Sequence, residues 1–300
     1  MQPKEFLLRL NVCPGLGLVS KQRIWQVAAE RYEFDDIAAL TQLANLSARS
    51  RAKFLTNWSS PETEMTFQRN WQMPFITIID AAYPELLKSI YCPPLVMYFM
   101  GDLTLLTTTC LAVVGARKMT QYARESLTQL LPTIIQHRIT VVSGLARGVD
   151  GLSHQITLAN HGKTIAVIGS GLNRVYPPEH DHLQRQIKRH GLLLSEYPLD
   201  SAPLPHHFVE RNRIIAGLAQ ACLVVEARRK SGSLITANLA LQENRNVLAI
   251  PGPINSDLST GCNELIAVGA RPVMSAQDIL GELNNRFYQP SKITSISSLN

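Results

Sequence analysis

The sequence predicts an α/β protein: an extended, doubly wound and mostly parallel sheet preceded by a small all-helical domain. Three observations carry that prediction. Short continuous apolar runs at 110–114, 139–142 and 164–168 alternate with stretches of helical periodicity, the pattern of strands buried on both faces and joined by crossover helices. Each of these runs stops at glycine or serine, namely Gly115, Ser143 and Gly169, the residues of tight turns. The first seventy or so residues hold no convincing strand and show helical spacing instead.

In chain order, residues 1–70 read as short helices, with Leu7, Leu8 and Leu10 on one and Ile24, Trp25, Val27 and Ala28 on the next. Between them the run CPGLGLVSKQRIW places Gly15 and Gly17 in a turn, with Ser20 as the cap of the following helix. Such a turn resembles a helix-hairpin-helix connection, whose amides can hold a DNA phosphate, although Gly-x-Gly between helices is more often a plain tight connection. A boundary is expected near residue 70. A strand at 75–79, a short helix introduced by Tyr83 and Pro84, and a strand closed by Gly101 and Asp102 should extend the sheet.

The unit at 110–151 organises the rest: strand, turn, helix, strand, turn. Its helix carries Tyr122, Leu127, Leu130, Leu131, Ile134 and Ile135 on one stripe, with Pro132 expected to kink it. Helices are expected at 150–160, 180–190, 208–219, 233–243, 264–268 and 276–283, alternating with strands at 164–168, 192–194, 222–225 and 247–250. The second domain thus spans 71–285, and 286–300 reads as a disordered tail.

Composition bounds the function. The 300 residues are 45% hydrophobic and 17% charged, as in an ordinary globular protein, and no apolar run reaches the roughly 18 residues of a membrane span. The start lacks a secretory signal, so a cytoplasmic location is expected. Five cysteines, an odd number with no CxxC pair, read as reduced buried thiols. The net charge of +6 is unevenly placed: residues 101–250 hold 16 Lys and Arg against 10 Asp and Glu, the whole of the excess. A polyanionic partner would use that block, and a generic basic surface would look the same.

Several motifs are decoys. HGKT at 161–164 resembles the end of a phosphate-binding loop, but Thr157 stands where its first glycine should be, and a strand follows it where a helix should. No strict GxGxxG occurs, so a dinucleotide cofactor is not expected. The eight histidines lack the spacing of a metal site. No GxSxG elbow surrounds Ser143, Ser231 or Ser233, so nucleophilic catalysis has no scaffold. No cofactor, metal or catalytic residue is expected.

The turns predicted at one sheet edge are GAR at 115–117, SGLARG at 143–148, GSG at 169–171, FVERNR at 208–213 and RRKSGSLIT at 228–236. Glycines 144, 148 and 151 would let amides face an anion. Cations from five loops suit a row of phosphates better than one small substrate, and Phe208 and Tyr176 could stack on bases. In order, VVGAR, VVSGLARGVDGLSH, GKTIAVIGSGL with YPPEH, LLSEYP, HHFVERNRIIAGLA, VVEA with KSGSLITANLA, and IPGPI with GCNELIAVGA resemble the DprA (Smf) DNA-processing family over residues 75–280. The helical start resembles that family's SAM-like domain.

The resemblance implies an extended Rossmann domain that binds and protects single-stranded DNA and loads RecA on it during natural transformation, commonly as a homodimer and without catalysis. The implied DNA contacts are Gly115, Arg117, Ser143, Gly144, Arg147, Gly169, Ser170, Phe208, Arg211, Asn212, Arg213, Lys230, Ser231, Gly232 and Ser233. Arg117 and Arg147 would clamp phosphates, while Asn212 and Arg213 could instead brace the sheet edge. Ala116 replaces a common small hydroxyl residue, and the winged-helix domain of many members is not in this sequence. The rival reading is a phosphoribohydrolase-like enzyme acting on nucleoside monophosphates. It lacks the expected carboxylate in KSGSLITANLA, leaving Glu226 or Glu243 as substitutes.

Overall fold

A computed structural model of the chain describes residues 1–284; the tail expected at 286–300 lies outside the described residues. Five helices open it: α1 (Pro3–Val12), α2 (Leu18–Arg31), α3 (Ile37–Leu43), α4 (Ala48–Trp58) and α5 (Pro61–Trp71). The side chains of Asp36, Ser47 and Ser60 accept the orphan amides at the starts of α3, α4 and α5, as short polar residues do at helix N-caps. Helix α2 begins earlier than expected: Gly17 is its N-cap and Ser20 lies inside it. Gly15 has φ of 104° and faces α4, where the Asn57 amide donates to the Pro14 carbonyl at 3.1 Å. That turn is packed against a neighbouring helix.

The remaining elements are β1 (Phe75–Thr77), α6 (Glu85–Lys88), β2 (Val96–Gly101), β3 (Cys110–Val114), α7 (Gln121–Gln136), β4 (Thr140–Ser143), α8 (Val149–Ala159), β5 (Thr164–Ile168), α9 (Asp181–His190) and β6 (Leu192–Ser195). They continue with α10 (Pro205–Leu218), β7 (Ala221–Val224), α11 (Gly232–Gln242), β8 (Asn246–Ala249), α12 (Asp257–Ala267), β9 (Arg271–Pro272) and α13 (Ala276–Asn284). The nine strands form one sheet in the order β1-β2-β6-β5-β4-β3-β7-β8-β9. Strands β6 to β9 in that row are parallel, and β1 and β2 add an antiparallel border.

Strand β3 shows how the sequence builds both faces. Leu111 and Val113 pack with Leu127, Leu131 and Ile134 of α7, whereas Ala112 and Val114 join Ile214, Ile215 and Ala237 on the other side. Alternation along a strand makes this possible, and both sets are apolar because both faces are covered. Helices α7, α8 and α9 lie side by side, and α10 and α11 pack together on the opposite face. Pro132 sits inside α7.

The helical start is bonded to the sheet's border. Asn11 accepts from the Tyr98 hydroxyl at 2.8 Å and donates to the Glu196 carbonyl at 3.0 Å. Asn70 accepts the Leu199 amide, and Arg69 pairs with Asp200. One apolar cluster runs from Phe6 and Trp58 through Tyr98 to Leu194 and Ile215.

From β3 the chain steps one way through β4, β5 and β6, then returns to the far side of β3 for β7. The loops after β3 and β7 therefore diverge, leaving a crevice at the carboxyl edge, where open α/β sheets hold their ligands.

Candidate nucleic-acid interface

That crevice is a cavity of ≈ 440 Å³, lined from β3 by Gly115, Ala116 and Arg117, from α10 by Phe208, Arg211 and Asn212, and from α11 by Ser231, Gly232 and Ser233. At its mouth the rings of Tyr176 and Phe208 lie 5.2 Å apart at 42°, and the Arg117 guanidinium sits 6.0 Å from the Phe208 ring centre. Gly169 makes this possible: a β-carbon there would come within 2.9 Å of the Phe208 ring. Arg117 and Tyr176 are exposed, so a cation and a π-face meet solvent at the crevice, and Lys230, next in sequence to the lining residue Ser231, is exposed as well. Such surfaces take phosphates and bases without regard to sequence.

Beneath the mouth the structure departs from expectation. Arg211 is buried, and its guanidinium donates to the carbonyls of Gly144, at 2.6 Å, and Val167. Burial pulls it down to about 10, so it remains a cation at neutral pH, held as a brace below the crevice. Arg213 is also buried and grips both oxygens of Glu196 at 2.5 and 2.7 Å, on the side of α10 turned from the crevice. The reason is helical geometry: FVERNR lies within α10, and its arginines alternate with Asn212, which alone of the three stays partly open.

Four more of the expected contacts are already engaged. The Ser143 hydroxyl donates to the Val113 carbonyl at 2.6 Å, and the Gly144 amide to Asp150 at 3.1 Å. The Gly151 amide donates to the Ala146 carbonyl. Ser170 is buried, with its carbonyl accepting from Ser195. The Gly144 and Gly151 amides of the glycine-rich turn after β4 are thus folded inward and do not face an anion. Gly148, at φ 72°, is needed because it lies against the Ala116 and Arg117 carbonyls.

Arg147 projects from the same turn but is already paired: its guanidinium holds Glu179 from the YPPEH loop. Both side chains are about half exposed, and the arginine keeps the Glu179 carboxyl down to about 2. Ser231 caps α11 by accepting the Leu234 amide, Gly232 is open on its α-carbon side, and Ser233 turns inward.

Sequence reasoning passed over Asp150. It sits in the first turn of α8, lines the crevice floor, and burial pushes its carboxyl up despite the nearby Arg211. Its only sequence signal is a carboxylate two residues after a glycine that opens a helix. The two carboxylates considered for an enzyme are used elsewhere. Glu226 accepts from the amide and hydroxyl of Thr120, and Glu243 accepts from the Tyr91 amide. Among the described residues no cluster of three or more His, Cys, Asp or Glu could hold a metal ion, and no helix is long and apolar enough to cross a membrane.

The model of the DNA recombination-mediator protein A family matches residues 74–284. The chain belongs to this family. It is 39% identical over 265 residues to the DNA processing protein DprA of Streptococcus pneumoniae, covering 88% of this chain and 94% of that one. The X-ray structure of the pneumococcal DprA superposes with a TM-score of 0.85 at 36% identity, over 94% of this chain and 98% of that one. A Helicobacter pylori DprA structure, described in terms of its single-stranded DNA binding mode, gives 0.64 at 29% identity over 72% of this chain and 99% of that one. The DprA match takes in the whole crevice, and the pneumococcal superposition reaches into the helical start.

Proposed function

We propose that the chain binds single-stranded DNA along the carboxyl edge of its sheet and acts there as a recombination mediator. The observation that carries this is the mouth of the crevice: Arg117, Phe208 and Tyr176 grouped at the topological switch point, with the open Gly232 backbone on the opposite wall and the exposed Lys230 two residues before it. A duplex keeps its bases stacked and cannot offer them to an aromatic pair, whereas a single strand can. The Helicobacter pylori DprA structure, described in terms of single-stranded DNA binding, supports the same reading. In this reading Arg117 and Lys230 neutralise successive phosphates, Phe208 and Tyr176 take a base, and Arg211 with Asp150 holds the floor beneath them. The chain binds and does not cut: Asp150, the buried carboxylate of the crevice, is committed to the Gly144 amide. Loading of RecA onto the bound strand, self-association as a homodimer and a cytoplasmic site of action belong to the same proposal.

Fluorescence anisotropy of a labelled single strand against its duplex, over a salt series and with a mononucleotide competitor, tests it. Single-strand preference, a steep salt slope and weak competition are expected. Tight mononucleotide binding with no polymer binding would overturn the proposal in favour of a nucleotide enzyme. RecA loading is tested by adding the protein to RecA and a strand already covered by a single-strand-binding protein. Shortening of the lag before RecA hydrolyses ATP is expected.

A further inference from the structure

The opposite edge of the sheet is also basic. Helices α7, α8 and α9 run back from the crevice side by side and end there in a row. The first is followed by His137 and Arg138, the second by His161 and Lys163, and the third closes on Arg189 and His190, all six of them exposed. The loops touch: the Val141 amide donates to the Lys163 carbonyl, and the Lys163 ammonium reaches the His190 carbonyl at 3.4 Å. Among the described residues none of Arg138, Lys163 and Arg189 is in an ion pair. Asp102 lies close enough for its charge to act on Lys163, forms no ion pair with it, and accepts the Thr104 amide and hydroxyl on one carboxylate oxygen.

One cation beyond each helix would satisfy the helix dipoles. What the dipoles do not require is a row of three unpaired cations on helices packed at roughly 8–10 Å intervals, each joined by an imidazole. A row of that kind matches a chain of phosphates. We propose that this edge is a second phosphate-binding strip, taking a stretch of single-stranded nucleic acid that runs on from the crevice. The inference rests on the function proposed above. Strands of four or five residues separate the two edges by about 15 Å, so one extended strand can reach both.

The test compares wild type with the triple variant Arg138→Gln, Lys163→Gln, Arg189→Gln. Labelled oligothymidylates of about 5 and about 30 nucleotides are used, within and beyond the roughly 4–16 nucleotides that one single-strand site covers. The variant is expected to bind the short oligomer as wild type does. It should bind the long one about tenfold more weakly at low salt, with a salt slope reduced by about 2, since each lost phosphate contact removes about 0.7. Lys163→Gln alone should lower the slope by about 0.7, which keeps the test open if the triple variant folds poorly. A second short oligomer bound by wild type and lost in the variant would show that the strip takes a separate strand. Unchanged long-oligomer binding, or equal loss with both lengths, overturns the strip. Failure of wild type to bind either oligomer overturns the crevice proposal instead.

Discussion

The guanidinium of Arg211 occupies the space that a β-carbon would need at Gly144. Gly144 is therefore fixed by a side chain from another helix and not by its own turn. Gly144→Ala forces Arg211 off the Gly144 and Val167 carbonyls, and overpacking of this kind costs about 1–3 kcal/mol. Urea unfolding should show that loss. Single-strand affinity should fall with it, because Arg211 lies directly under Phe208 and Asn212 in the crevice.

Arg117 forms no ion pair among the described residues, and its guanidinium lies beside the Phe208 ring. Arg117→Ala should weaken single-strand binding and lower its salt slope by about 0.7, the worth of one phosphate contact. Unfolding curves should stay within about 0.5 kcal/mol of wild type, as for other exposed substitutions. Titrations at several salt concentrations separate the two effects; an unchanged slope removes Arg117 from the interface.

Arg147 behaves differently because Glu179 reaches it first. With that carboxyl held down to about 2, the pair stays ionised throughout neutral and mildly acid solution, and an incoming phosphate must compete with it. Glu179→Gln should raise single-strand affinity roughly two- to five-fold at low salt, the usual worth of an exposed ion pair. The gain should vanish as salt rises. A fall in affinity would mean that Glu179 positions Arg147 for the strand.

Burial pushes the thiols of Cys110, Cys222 and Cys262 up to about 12 and that of Cys13 to about 11. Their folded values lie above the unfolded one of about 8.5. The stability they contribute is therefore complete below pH 8.5 and is lost as pH rises through the folded values. Unfolding midpoints should fall progressively from about pH 8.5 upward. In the native protein an aromatic disulfide reagent should label Cys92, which is only partly buried, well before the other four. Rapid labelling of more than one thiol at neutral pH contradicts the packing described.

The strands of the parallel sheet were legible because burial on both faces leaves mostly apolar residues in each run, with polar ones such as Thr140, Ser143, Thr164 and Ser195 at their ends. Strand β9 was not: two residues, Arg271 and Pro272, carry no periodicity, and only their pairing with Leu248 and Ala249 of β8 makes them a strand. Gly115, Arg117 and Phe208, expected as neighbours on one edge, line one crevice. Ser143, Gly144 and Arg211 were not distinguishable from them, whereas Arg213 was expected as a possible brace and pairs with Glu196. A hydroxyl or guanidinium at the end of a strand looks the same in sequence whether it points outward to a ligand or inward to a carbonyl. Only the direction of α10, which turns Arg211 and Arg213 inward and leaves Asn212 partly open, separates the two cases.

The bonds that join the helical start to the sheet's border have a consequence for the order of events at the ribosome. Asn11, Arg69 and Asn70 emerge early, yet their partners Glu196, Asp200 and Leu199 are translated more than a hundred residues later. The first five helices must wait, unfinished on one side, until β6 and the segment after it have been made. At about 5–20 residues per second, that interval lasts on the order of ten seconds, during which Asn11, Arg69 and Asn70 lack these partners and this face of the helices is open to capture by a chaperone.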